Sequence, residues 1–265
     1  MSAACVSKQR KYRNPPHYNL NKPYVIKLPA ELNEISGMAY YAKDNSLFVE
    51  SDNKGSVYKV LIGKQISINK WKFGHKINYE DIVVRDSTFY VLNSTGDLYA
   101  VRFGLDSPIV QKFEFPRKGN EFESLYYDDS LQKLVIICKD CKLDNHNSVS
   151  TYTFDIQSQA FEESYVINSK KVMYEFGPDA TRLKPSAATI HPITKDLYLL
   201  SSVNKLLLIA NRDGKIREMY SLNPRIYNHP EGITFTPAGD MFISNEAARF
   251  TPATILYFKF NKNGD

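Results

Sequence analysis

The sequence predicts an all-β propeller of five four-stranded blades, and three observations carry that prediction. One strand pattern occurs five times along the chain. Its openings, at Ser36, Glu80, Glu123, Ser186 and Glu231, recur at about 45 residues, the length of one blade, with one interval longer by about 20. The last repeat lacks one strand, and a segment ahead of the first repeat can supply it.

Taken in order, each repeat opens on a short strand of small, polar and apolar residues: ISGMAY, EDIVV, ESLYY, SAATI and EGITF. A second strand follows, apolar until its polar end: SLFVESD, TFYVLNS, LVIICKD, LYLLSS and MFISNE. Such near-continuous apolar runs suit strands covered on both faces. The third strands are SVYKVL, DLYAVRF, STYTFDI, KLLLIAN and TILYFKF, set off by turn residues such as Thr95-Gly96-Asp97 and Arg212-Asp213-Gly214. Fourth strands exist for the first four repeats: ISINKWKF, whose Trp71 is read as blade packing, then IVQKFEF, ESYVIN and IREMYSL. The fifth repeat reaches its last turn at Asn261 to Gly264, so Tyr24 to Leu28 must complete it. That exchange closes the ring and leaves no sheet edge open. A six-bladed ring is the alternative count, but the interval from Asn168 to Pro185 is too short for four strands.

Composition agrees. Of the 265 residues 43% are hydrophobic and 13% aromatic, chiefly Tyr and Phe, which is enough for a large core and favours strands. The net charge of +5 is concentrated at the start: six of 34 basic residues precede the first acid, Glu31, leaving 28 against 29 acids. The globular part is therefore near neutral, without the basic face that nucleic-acid binding needs. No apolar run is long enough to span a bilayer. Residues 1–23 read as a basic, flexible tether and 24–265 as one propeller domain. Ser2-Ala3-Ala4-Cys5 resembles the small-residue cleavage box of bacterial lipoproteins, with Ser2 departing from the usual Leu. It makes Cys5 a candidate lipidation site and would hold the domain at the membrane by a lipid anchor alone. Cys138 and Cys141 form a single C-x-x-C, so a four-thiolate zinc site is excluded. The pair is either a local disulfide or two ordinary thiols.

Blade geometry brings the openings, and the ends of the second strands, to one face of the central channel. The openings place Ser36, Glu80, Glu123, Ser186 and Glu231 there, with Glu34, Asn78, Glu121, Lys184 and His229 two residues earlier. The following turns add Asp52, Asn53, Asn93, Asp140, Ser202, Asn245 and Glu246. Glu80, Glu123 and Glu231 around one axis repel each other unless they share protons or hold a cation. Calcium suits them, taking six to eight oxygens at ~2.3–2.6 Å, with Asn93 or Asn245 contributing carbonyl oxygens. The competing reading gives the glutamates a structural role, bonded to inner-strand amides and water. The long interval, with Tyr174, Phe176, Asp179, Arg182 and Lys184, reads as a flap over the channel or as a plain surface insertion. His229 is the one candidate general base at the mouth. No G-x-S-x-G elbow and no phosphate-cradling glycine loop occurs.

The segments NEISGMAY, YEDIVV, NEFESLYYD, KPSAATIHPITKDLYLLSS and HPEGITFTPAGDMFISNEA resemble the SdiA-regulated family of bacterial NHL-like propellers. The resemblance implies the cell envelope, periplasmic or outer-membrane-anchored, and no particular reaction. Two expectations follow. One is a monomeric propeller binding a small molecule, glycan or protein at its channel face through Glu34, Ser36, Asp52, Asn93, Arg182, Lys184, Ser186, Asn245 and Glu246. The other is a metal-dependent phosphoesterase or lactonase using His229.

Overall fold

The fold is seen in a computed structural model that describes residues 12–51, 54–63, 65–104, 107–176 and 182–264. Five four-stranded antiparallel sheets build it. The first blade is β2 (Ile35–Tyr41), β3 (Ser46–Ser51), β4 (Ser56–Ile62) and β5 (Ile66–Lys72). The second is β6 (Tyr79–Arg85), β7 (Thr88–Asn93), β8 (Leu98–Phe103) and β9 (Pro108–Phe113). The third is β10 (Glu121–Asp128), β11 (Lys133–Asp140), β12 (Ser148–Asp155) and β13 (Ala160–Asn168). The fourth is β14 (Ala187–Ile190), β15 (Leu197–Ser201), β16 (Leu206–Ala210) and β17 (Ile216–Ser221). The fifth joins β18 (Pro230–Phe235), β19 (Met241–Asn245) and β20 (Thr254–Phe258) to β1 (Tyr24–Lys27) from the start of the chain.

The five blades of the sequence reading are thus present, closed by the exchanged strand. β1 runs antiparallel to β20, from Tyr24 opposite Tyr257 to Lys27 opposite Thr254. The inner strands β2, β6, β10, β14 and β18 pack each against the next around the axis. Hydrophobicity explains the radial order. In blade four the middle strands LYLLS and LLLIA are buried at every position. The outer strand β5 alternates between half-buried and exposed instead. Side chains from adjoining blades interleave: Trp71 of blade one lies 4.7 Å, ring to ring, from Phe103 of blade two. Backbones approach closely at Gly37, where a Cβ would come within 2.4 Å of Asp81 Cα on the neighbouring inner strand. No side chain larger than hydrogen fits there.

Two features differ from expectation. The packed domain begins before Tyr24, because Tyr18 and Leu20 are buried among blades four and five. Tyr18 donates to Gly239 O at 2.5 Å and lies 2.6 Å from His191 Nε2. His191 Nδ1 accepts the Ile193 and Thr194 N–H groups, so its proton sits on Nε2 and points at the Tyr18 oxygen. The Tyr227 hydroxyl donates to Leu20 O at 2.8 Å. Residues 12–23 are therefore part of the fold rather than a free tether, since two large apolar side chains gain more by burial than by solvation. Cys5 and its surrounding box lie outside the described residues. The second difference is a short helix, α1 (Lys170–Phe176), in the long interval. Val172 and Met173 anchor it in the core while Tyr174 is 87% exposed. No described helix is long and apolar enough to cross a membrane.

Candidate functional site

A β-bulge at the start of each of three inner strands delivers the glutamates to the channel. In β6, Tyr79 pairs with Asn93 and Asp81 with Leu92, leaving Glu80 as the extra residue. In β10, Phe122 pairs with Cys138 and Ser124 with Ile137, leaving Glu123. In β18, Pro230 pairs with Asn245 and Gly232 with Ser244, leaving Glu231. A bulged residue is freed from the ladder and re-aimed. Here all three turn toward one end of the axis, where Glu34, Ser36, Asn78 and Glu121 join them. With Lys139 and Glu246 these residues line a cavity of about 200 Å³.

The hydroxyls of the serines of blades one and four staple the ring. Ser36 Oγ donates to Glu80 O at 3.0 Å, and Ser186 Oγ to Pro230 O at 2.8 Å. Asp81, one residue past the bulge, does the same work between blades two and three. Its carboxylate accepts the Ile82 and Leu125 N–H groups at 2.8 and 2.7 Å. Burial pushes the Asp81 pKa well up, against those two hydrogen bonds. Asn93 is equally occupied: its Oδ1 accepts from Thr95 N, Thr95 Oγ1 and Asp97 N, capping its own turn. It has no oxygen left for a cation. Asn245 donates to Ile226 O and Thr254 Oγ1 and lines a neighbouring cavity that shares Glu246 with this one.

Lys139, which the sequence reading passed over, supplies positive charge inside the cavity. It pairs with Glu123 and lies 3.1 Å from Glu121. Burial works to lower its pKa, but the hydrogen bonds and charges of Glu123 and Glu121 outweigh burial and raise it. Glu123 is nevertheless held above the ordinary carboxylate range, because burial exceeds the help from Lys139. Glu231 is raised further, to about 8, by burial first and by the charge of Glu123 second. A hydrogen bond from Ser202 and the charge of Lys139 oppose that rise. Nearby, Lys205 donates to Asn228 O at 2.5 Å and is lowered by burial, with Glu231 opposing.

The basic residues assigned to the flap are engaged elsewhere. Arg182 pairs with Asp140, and Lys184 Nζ lies 3.1 Å from the same carboxylate. Burial raises the Asp140 pKa, but Lys184 and Arg182 together bring it below the usual value. Helix α1 reaches the perimeter, where Lys171, Val172 and Glu175 meet Ile216 to Tyr220 of β17 and Arg13 around a cavity of about 340 Å³. It does not line the glutamate cavity. Asp52, Asn53, Asp179 and the Phe176 side chain lie outside the described residues. At the mouth, His229 Nδ1 stands 4.0 Å from Glu246 and Lys54 Nζ stands 3.7 Å from Glu34.

Calcium was expected to answer the glutamates, and the fit can be judged from the donors present. A calcium ion gathers its oxygens within ~2.6 Å of one centre. Among the described residues, the one trio of His, Cys, Asp or Glu whose ligand atoms all lie within 4.8 Å of one another is Cys138, Cys141 and Asp144. Glu80, Glu123 and Glu231 do not form such a trio, and Lys139 pairs with Glu123. The geometry fits an internal ammonium better than a bound ion. Lys139 had a signal in the sequence: it sits at the polar end of a second strand, where side chains emerge at the mouth.

The ring, its bulged glutamates and its acidic cavity define a five-bladed β-propeller with a carboxylate-lined recess at one end. The chain belongs to the SdiA-regulated family, whose model matches residues 22–252. No curated protein matches it in sequence. Among solved structures it resembles the glutaminyl cyclase of Myxococcus xanthus at 13% identity and a TM-score of 0.59, covering 94% of this chain and 100% of that one. It also resembles a luciferin-regenerating enzyme at 10% identity and a TM-score of 0.54, over 91% of this chain and 96% of that one. A third likeness, to a nidogen/laminin complex, has 12% identity and a TM-score of 0.52, over 80% and 72%. At such identities the likenesses establish the fold alone.

Proposed function

We propose that this propeller is a binding module of the bacterial cell envelope whose funnel takes an ammonium-bearing small molecule or glycan. The observation that carries the reading is the funnel's charge. Glu34, Glu80, Glu121, Glu123 and Glu246 line one cavity together with Glu231, which keeps its proton until about pH 8, and a single base, Lys139. Such a surface attracts cations and repels phosphoesters, which weighs against the phosphoesterase reading. Hydrolysis of a neutral lactone keeps one supporting feature, the approach of His229 to Glu246. The similar structures include two enzymes and a nidogen/laminin complex, and so favour neither class. The envelope location rests on the lipoprotein-like box at Cys5 and on the Cys138–Cys141 disulfide, a bond that persists in oxidising compartments.

Thermal melts with linear di- and polyamines, against their N-acetylated forms, test the proposal. A ligand that binds only the folded chain raises its melting temperature by mass action. The amines are expected to raise it, the acetylated forms are not, and Glu80→Gln with Glu231→Gln is expected to abolish the rise. Equal shifts for both ligand sets would contradict the reading. Adding calcium and then chelator discriminates a metal site: a calcium-dependent rise lost in the same variant would restore the ion.

A further inference from the structure

The funnel does not use the sulfur chemistry beside it. Cys138 near the end of β11 and Cys141 just beyond it are joined as a disulfide, and both are almost wholly buried. Three residues on, the chain turns back, with the Asp144 N–H donating to Cys141 O at 3.0 Å. The Asp144 carboxylate accepts the Ser150 N–H at 2.6 Å, which fixes its orientation. The sulfurs and one carboxylate oxygen all lie within 4.8 Å of one another. We propose that Cys138, Cys141 and Asp144 form, when the disulfide is reduced, a binding site for one thiophilic divalent ion of the zinc class.

The chemistry follows from the donors. A C-x-x-C turn presents two sulfurs to one point, a spacing that zinc sites use repeatedly. With Zn–S near ~2.3 Å and Zn–O near ~2.1 Å, tetrahedral ligand atoms stand roughly 3.5–3.8 Å apart. That spacing fits inside the observed limit once the sulfurs separate. Thiolates disfavour calcium and magnesium and select softer ions. Ser150 N–H is the kind of supporting hydrogen bond that holds a carboxylate ligand in place. The Glu121 carbonyl, 3.8 Å from Cys141 Sγ, and water are the candidates for the remaining position. Disulfide and ion exclude each other. A dithiol reductant supplies two electrons and two protons, converting the S–S bond to two thiols and leaving as its own disulfide. Metal uptake then releases the two thiol protons as the thiolates bind.

Cobalt(II) titration of the whole chain tests the site, because thiolate coordination gives a charge-transfer absorption that carboxylates do not. After phosphine reduction, with retained β-structure verified by circular dichroism, the protein is expected to take one cobalt(II) and to release it to zinc. The oxidised protein and Cys138→Ser/Cys141→Ser are expected to show no such band. Asp144→Asn is expected to weaken binding by roughly ten-fold or more. Three results would each overturn the proposal: no band in the reduced folded protein, undiminished affinity in Asp144→Asn, or equal affinity in the reduced chain unfolded in urea.

Discussion

Glu231 and His191 titrate in opposite senses, and each makes stability depend on pH through its burial. Glu231 has a pKa of about 8 in the folded chain against an ordinary 4.5. The folded state keeps a proton that the unfolded state has lost. Its contribution is fully present below about 4.5 and is lost as pH rises through about 8. His191 is lowered from 6.5 to about 4 by burial, against the charge of Asp196. It stays neutral when folded, so its contribution is present above 6.5 and is lost as pH falls through about 4. Urea melts at pH 5, 7 and 9 are expected to show wild type weakening on the alkaline side and Glu231→Gln flattening that limb. An unchanged limb in the variant would mean that Glu231 is solvated at the mouth.

At the scale of elements, two devices organise the molecule. One is the turn Lys139-Asp140, fixed between Cys138 and Cys141. It delivers a cation to Glu121 and Glu123 and an anion to Arg182 and Lys184. The Lys139 pairs stay within blade three, while Asp140 ties it to the segment entering blade four. The other is the seam, where β1 completes blade five and Tyr18 locks the chain onto His191 and Gly239. Tyr18→Phe keeps the ring contacts but leaves Gly239 O and His191 Nε2 without their partner, and is expected to cost ~1–3 kcal/mol. Tyr18→Ala also opens a cavity and is expected to cost ~3–5 kcal/mol. Chemical denaturation measures both. If the two variants match wild type, the segment before β1 is a tether after all.

For the whole molecule, the ring was legible because its period is long and its second strands are apolar throughout. Blade openings pointed to Glu80, Glu123 and Glu231, and these line one cavity. The sequence reading failed where local pattern is silent. Nothing in EDIVV distinguishes the half-buried, channel-facing role of Glu80 from the buried, interblade role of Asp81. A serine at an opening reads the same whether it meets a ligand or a backbone carbonyl, as Ser36 and Ser186 do. Burial of Tyr18 and Leu20 depends on a groove between blades four and five, which only the closed ring creates. Lys139 was overlooked because a lysine at a strand end is usually solvated. With it placed, the funnel becomes an acidic site already holding one ammonium, and that is the central claim.

Calorimetric titration of the tightest-binding alkyl polyamine, at pH 6 and pH 9, tests that claim most directly. As Glu231 loses its proton through about pH 8, a further negative charge enters the funnel while a primary alkylammonium end remains mostly protonated. The account predicts tighter binding at pH 9 than at pH 6, with the difference abolished in Glu231→Gln. Affinity independent of pH and identical in the variant would contradict it, and would place any polyamine binding outside the funnel.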